Sequence, residues 1–166
     1  MKKIVLSLAL MSMALFGSDI RVEGNLLSEA KILSYESIKE MKKLEVDSKP
    51  IVCASGETKA QASKYGGVLL RQIIDGLPLE INSKRDFNSM VITVIAGDNY
   101  QVNFTYNELF NTSIGDGVMI SYAKDSETIA DKELVLLSAN DTKTGPRNVK
   151  NVKEIRVNVI KYELNK

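Results

Sequence analysis

The hydrophobic pattern of the chain has a helical period in parts of its first half and a period of two in its second half. Apolar residues recur at helical spacing over 34–43 and 67–75, which predicts two short helices. Ser34 or Ser37 is placed to cap the first helix. The small and polar segment 54–64 between the helices predicts a loop.

Alternating and β-branched segments predict strands, most of them in the second half of the chain. The apolar, β-branched segment 90–96 and the alternating segment 100–104 flank a turn at 97–99, which predicts a hairpin. The spacing of Thr105 and Glu108 predicts a capped helical turn after it. Five further strands are predicted, at 20–26, 51–53, 117–123, 133–138 and 153–162. We therefore predict an α+β fold with a β-rich, mixed and mainly antiparallel sheet and two or three short helices.

The first residues have the pattern of an export signal. Lys2 and Lys3 precede an apolar run over 4–16, and small residues follow it. The run is shorter than the ~20 residues that span a bilayer. We predict a signal peptide over 1–17 and a single domain over 18–166, exported to the periplasm, with no membrane span in the mature chain. A buried N-terminal helix is the alternative for this run.

The composition excludes several classes of function. The chain has 22 Lys+Arg against 21 Asp+Glu and no His. Without His there is no Ser-His-Asp or Cys-His nucleophile and no His-ligated zinc, copper or iron. The balanced charge argues against a nucleic-acid partner. A single Cys allows neither an intramolecular disulfide nor a CxxC pair.

Cys53 is the first candidate for chemistry, because it ends an apolar strand and begins a loop of small residues. Three interpretations are open: an inert, packed thiol, a thiol that pairs between molecules or senses oxidants, and a thiolate metal ligand.

The second candidate is the basic segment 141–153, in which Arg147, Lys150 and Lys153 follow a turn at 145–146. This pattern is typical of a solvated basic patch, and it also suits an anion site in which an Arg and a Lys hold a phosphate.

Four segments, in order along the chain, resemble the molybdopterin-binding domain of the sulfite-oxidase-like oxidoreductases. They are 51–56 (IVCASG), 65–74 (YGGVLLRQII), 98–100 (DNY) with Phe104 and Glu108, and 145–157 (GPRNVKNVKEIRV). The second resembles a helix of that family, and the resemblance extends over about residues 20–160.

The resemblance implies a domain that binds a molybdenum pyranopterin, with Cys53 as the metal ligand and Arg147 and Lys150 as ligands of the cofactor's phosphate. If the chain is an enzyme, it is then a molybdopterin-dependent oxidoreductase with a small-molecule or protein redox partner. The chain differs from the family in having no His or Trp and in having Asn99 where a Gly is usual. A Lys-Lys signal is typical of export in the unfolded state, and a chain exported unfolded could not carry a cofactor that is inserted in the cytoplasm. The alternative is a cofactor-free periplasmic binding or accessory module that keeps the fold but not the chemistry.

Overall fold

The computed structural model describes residues 18–161, so the predicted signal peptide at 1–17 and residue 162 of the last predicted strand lie outside the described residues. The described residues form mainly short strands, with short helices between groups of them. The strands are β1 (Ile20–Gly24), β2 (Lys31–Leu33), β3 (Leu44–Ser48), β4 (Ile51–Val52), β5 (Thr58–Ala60), β6 (Ser63–Leu69), β7 (Met90–Ala96), β8 (Gln101–Thr105), β9 (Val118–Lys124), β10 (Glu127–Thr128), β11 (Val135–Ser138) and β12 (Val152–Val159). The α-helices are α1 (Tyr35–Glu40), α2 (Leu70–Asp75) and α3 (Tyr106–Asn111).

The first sheet has five strands in the order β2-β1-β12-β7-β8. β1 and β12 pair in parallel, and the other neighbours are antiparallel. In β7 the residues alternate between buried and partly exposed, which is the pattern of a sheet with one face in the core. The predicted hairpin is confirmed, because Val94 lies opposite Val102 in the β7–β8 pair.

The second sheet is antiparallel, with the order β10-β9-β6-β3 and with β11 on the same side of β9 as β10. Six consecutive residues of β9, from Val118 to Ala123, are buried. The main core joins the sheets, since Ile92 of the first and Ile120 of the second belong to one cluster. Met119 belongs to a smaller cluster with Leu69 and Leu137. The two sheets thus form an α+β domain with most of its apolar area between them.

The helical segment predicted at 67–75 is helical only from Leu70, and residues 67–69 belong to β6. Gly67 explains the difference. A Cβ atom on Gly67 would lie 2.1 Å from the carbonyl oxygen of Ile120, so only glycine allows this close approach of β6 to β9. The loop predicted at 54–64 also contains β5 and the first residues of β6, because residues 58–60 pair with β4 and residue 63 with β3.

The helix caps follow the sequence. The Ser34 hydroxyl accepts a hydrogen bond from the Ser37 backbone N–H and caps α1. Thr105 and Glu108 form the predicted capping box of α3. Within residues 18–161, no helix has the length and apolar character needed to cross a membrane.

Candidate functional site

Cys53 lies in a tight turn at the end of β4. Its backbone N–H donates to the carbonyl oxygen of Glu57 at 2.9 Å, and its carbonyl oxygen accepts from the N–H of Gly56, also at 2.9 Å. Gly56 has a φ of 90°, which glycine adopts without steric cost. The thiol-bearing residue is partly exposed. The short β4–β5 hairpin therefore presents Cys53 at the protein surface.

The turn at Gly145–Arg147 packs directly against the Cys53 turn. A Cβ atom on Gly145 would lie 2.6 Å from the carbonyl oxygen of Val52 and 3.2 Å from the Cα atom of Cys53. The buried Thr144 hydroxyl donates to the carbonyl oxygen of Pro50 at 2.9 Å and accepts from the N–H of Val52 at 3.3 Å. Residues 50–53 and 144–145, which are far apart in the sequence, are thus held together by these contacts.

A side chain crosses between the same two segments, because the Lys143 ammonium donates to the carbonyl oxygen of Ala54 at 2.6 Å. The β7–β8 hairpin contacts the turn from another direction. The hydroxyl of Tyr100 donates to the carbonyl oxygen of Pro146 at 2.6 Å. Asn99, in the hairpin turn, has a φ of 69°, a left-handed conformation that Asn tolerates better than most residues. Asn99 therefore serves as a turn residue of this hairpin.

Arg147 is held by two carboxylates. Its Nε donates to Oδ2 of Asp141 at 2.7 Å, and its Nη1 donates to Oε1 of Glu108 at 3.0 Å. The guanidinium also lies over the ring of Phe104, with Cζ 4.4 Å from the ring centroid. The side chain is 20% exposed. The hydrogen bonds that Arg147 donates to Asp141, and secondarily to Glu108, raise the pKa of Arg147 above its ordinary value.

A phosphate needs free donors and a net positive charge. At Arg147 one guanidinium faces two carboxylates, so the three side chains together are net negative. Binding of a cofactor phosphate there would require Arg147 to leave both carboxylates, or would bring three anions around one cation. As it is placed in this structure, Arg147 does not fit the phosphate group of a pyranopterin.

The other two predicted site residues are accessible. Cys53 is partly exposed and Lys150 is exposed, three residues beyond Arg147. Lys150 makes no ion pair within the part of the chain that the structure describes. Among residues 18–161, no group of three or more Cys, Asp or Glu side chains is arranged to hold a metal ion. The structure therefore brings the Cys53 turn and the Arg147 turn together, while the ligand roles of Cys53 and Lys150 stay predictions.

The partners of Arg147 were missed in the sequence analysis. The sequence marks Asp141 only as the first residue of the basic segment, and Glu108 only as a helix-capping residue and as part of the third family-like segment. Glu108 both caps α3 and binds Arg147, because its Oε2 accepts from the Thr105 N–H at 2.9 Å while its Oε1 accepts from Arg147. No local pattern marks this double role, since Glu108 and Arg147 are joined only by the fold.

The second family-like segment, 65–74, contains most of β6 and most of α2. The helix packs against β6, β9 and α3. Its Arg71 pairs with Asp116 at 2.7 Å. This helix supports the second sheet through Leu70 and Ile73, which are buried in the main core.

Comparison with known proteins supports the fold. No family model matches the chain, and no curated protein sequence matches it. A solved structure that is similar is the sulfane dehydrogenase SoxCD from Paracoccus pantotrophus, at a TM-score of 0.58 and 10% sequence identity. The match covers 86% of this chain and 38% of the SoxCD chain, so this chain spans well under half of its neighbour. The likeness confirms the predicted α+β fold class.

Proposed function

We propose that this chain is an exported binding or accessory module that keeps a sulfite-oxidase-like fold and works without a molybdenum cofactor. One observation carries the proposal: the guanidinium that the family resemblance assigns to a phosphate is bound by Asp141 and Glu108. In this arrangement Arg147 joins β8, α3 and the 141–147 segment, and it acts as a structural group.

The binding surface of the module contains the exposed groups around the Arg147 turn. Tyr100 is 46% exposed, and Lys150 lies on the segment to which the Tyr100 hydroxyl is bonded. Exposed aromatic rings such as that of Tyr100 are enriched in protein interfaces. We take a protein partner as the ligand of this surface.

A second candidate is cofactor binding through Cys53. It is favoured by the partly exposed position of Cys53 directly beside the Gly145 turn, because the family resemblance brings these same two segments to the cofactor. In this alternative Cys53 and Lys150 are the available ligands, and Arg147 is not.

Metal analysis separates the two candidates. The mature protein is purified from its native host grown with molybdate, and molybdenum and tungsten are measured by mass spectrometry. We expect a metal content far below one atom per chain. A near-stoichiometric content in the native protein that is lost in Cys53→Ser would overturn the proposal in favour of the second candidate.

Cross-linking tests the binding surface itself. A photo-cross-linking residue is placed at position 150 in the native host, with position 31 on the first sheet's edge strand β2 as the matched control. We expect a discrete cross-linked protein from position 150 that is retained in Cys53→Ser and absent from position 31. Equal cross-linking from both positions, or none from 150, contradicts a partner surface at Lys150.

A further inference from the structure

A cleft lined by aromatic rings lies away from the Cys53 turn, between the end of α2, α3 and the short 3₁₀ helix at Lys84–Ser89. We name it the aromatic cleft and define it by Phe87, Tyr106 and Phe110. The rings of Tyr106 and Phe110 stack with centroids 4.1 Å apart, and Phe87 lies 4.6 Å from Tyr106. All three rings are only partly buried. They form part of the wall of a cavity of about 270 Å³.

Aliphatic side chains complete the cavity. Leu79 and Ile81, from the segment after α2, line it together with residues at the end of the helix. Both are partly exposed apolar residues that pack against the main core. Small-molecule sites are typically apolar concavities with a few polar groups placed at defined positions. The walls of the aromatic cleft have this character.

The polar group of the cleft is Asp75. It lines the 270 Å³ cavity and a neighbouring one of about 380 Å³, and Phe110 also lines both. Asp75 is exposed, and within residues 18–161 no hydrogen bond or ion pair engages its carboxylate. The neighbouring cation, Arg71, is paired with Asp116 at 2.7 Å. The one uncompensated charge among the residues lining these cavities is therefore negative.

The wall that carries Phe87 is fixed by a buried carboxylate. Asp86 accepts hydrogen bonds from the backbone N–H groups of Asn82, at 2.8 Å, and Ser83, at 3.1 Å. These bonds, that from Asn82 most strongly, lower the pKa of Asp86. Lys161 faces the same carboxylate at 3.7 Å. The Phe87 side of the cleft is thus anchored by hydrogen bonds.

We propose that the aromatic cleft binds a small organic cation with an apolar or aromatic body, such as an amine or a quaternary ammonium compound. The apolar body fits between the aliphatic wall and the rings, and the cationic head lies between the face of Phe110 and the carboxylate of Asp75. Aromatic faces and carboxylates both attract cations and both repel anions, whereas a neutral group gains no charge attraction from either. The inference is independent of the proposed function, because it concerns a different surface.

The test uses three probes of similar shape and different charge: benzyltrimethylammonium, 2-phenylethanol and 3-phenylpropionate. Binding to the mature protein is followed by NMR shifts of the aromatic side chains. We expect the cation to bind most tightly and the anion most weakly, with shifts at Phe87, Tyr106 and Phe110. Equal affinity for the cation and the neutral probe, or shifts elsewhere, would overturn the proposal.

Variants separate the charge from the rings. Asp75→Asn should weaken binding of the cation by about 1.5- to five-fold, the range expected for an exposed ion pair, and should leave 2-phenylethanol unchanged. Asp47→Asn is the matched control, because it removes an exposed charge from β3, at the edge of the second sheet. It should change the binding of neither probe. Phe110→Leu should weaken both probes. If Asp75→Asn binds the cation as well as the unaltered protein does, Asp75 has no role in recognition and the proposal fails.

Discussion

The Arg147 region and the aromatic cleft differ in how their charged groups are satisfied. Arg147 has two carboxylate partners and an aromatic ring below it, so its charge is used within the fold. In the aromatic cleft Asp75 has no charged partner among the described residues, and three partly exposed rings lie close by. The basic segment 141–153 has the more conspicuous sequence pattern, but its Arg147 is already paired within the fold. A basic motif therefore indicates a ligand site only when the fold leaves the cation free.

The two regions share α3. Glu108 extends from this helix to Arg147, while Tyr106 and Phe110 extend from it to the cleft. Because the helix has only six residues, its own hydrogen bonds contribute little, and its position depends on the caps and on packing. Substitutions on either side of α3 test how far the two regions are coupled.

The largest effect is expected for Arg147→Met. The substitution keeps much of the apolar stem but leaves Asp141, whose side chain is 10% exposed, without its cation. Removing one partner of a buried ion pair typically costs 3–5 kcal/mol, and the partial exposure of Arg147 and Glu108 reduces this to about 2–4 kcal/mol. Chemical denaturation measures the loss of unfolding free energy.

Lys150→Met is the matched control for that variant. Lys150 is exposed and unpaired among the described residues, so the change should stay within about 0.5 kcal/mol. If Arg147→Met were as stable as Lys150→Met, Arg147 would not be a structural group, and an anion-binding role for it would regain support.

A smaller loss is expected for Gly145→Ala. The new Cβ atom would lie 2.6 Å from the carbonyl oxygen of Val52, a backbone atom that cannot move without shifting β4 and Cys53. Overpacking of this kind costs about 1–3 kcal/mol.

Gly76→Ala, next to the aromatic cleft, is the comparison for Gly145→Ala. There the Cβ atom would have only ordinary contacts, at 3.6 Å, and the backbone φ of −82° suits alanine. This variant should be unchanged or more stable by up to about 1 kcal/mol. A thermal denaturation in which both glycine variants behaved alike would show that the Gly145 turn is not tightly packed on the Cys53 turn.

Much of the fold could be predicted because local patterns decided it. Segment 90–96 alternates between core and surface positions, and the predicted boundaries of that strand agree with the structure. The Ser34 cap and the Thr105–Glu108 box are also local signals, and both are present. Segment 67–69 was predicted wrongly, because pairing with β9 outweighs the apparent helical spacing.

The candidate site was less predictable, because its interactions connect distant segments. The sequence placed Cys53 at a strand end, and the resemblance linked it to the 145–157 segment, with which the structure brings it into contact. It did not reveal that Arg147 has two carboxylate partners, since one of them comes from α3, 39 residues away. Nor did it reveal the aromatic cleft, because Phe87 meets Tyr106 only through packing of the 3₁₀ helix at Lys84–Ser89 on α3.

The smallest effect is expected for Thr105→Ala, at the N-cap of α3, the helix that both regions share. The Thr105 hydroxyl accepts from the backbone N–H of Glu108 at 3.1 Å, and loss of such a cap costs about 1 kcal/mol. Since Glu108 and Phe110 lie on the helix that this cap begins, the variant should both lower the unfolding free energy and weaken benzyltrimethylammonium binding. Thr142→Ala, an exposed threonine near Arg147, should do neither. A Thr105→Ala protein that lost stability but bound the cation normally would show that the cleft is held by its own packing, Phe87 on Tyr106, and is uncoupled from the Arg147 network.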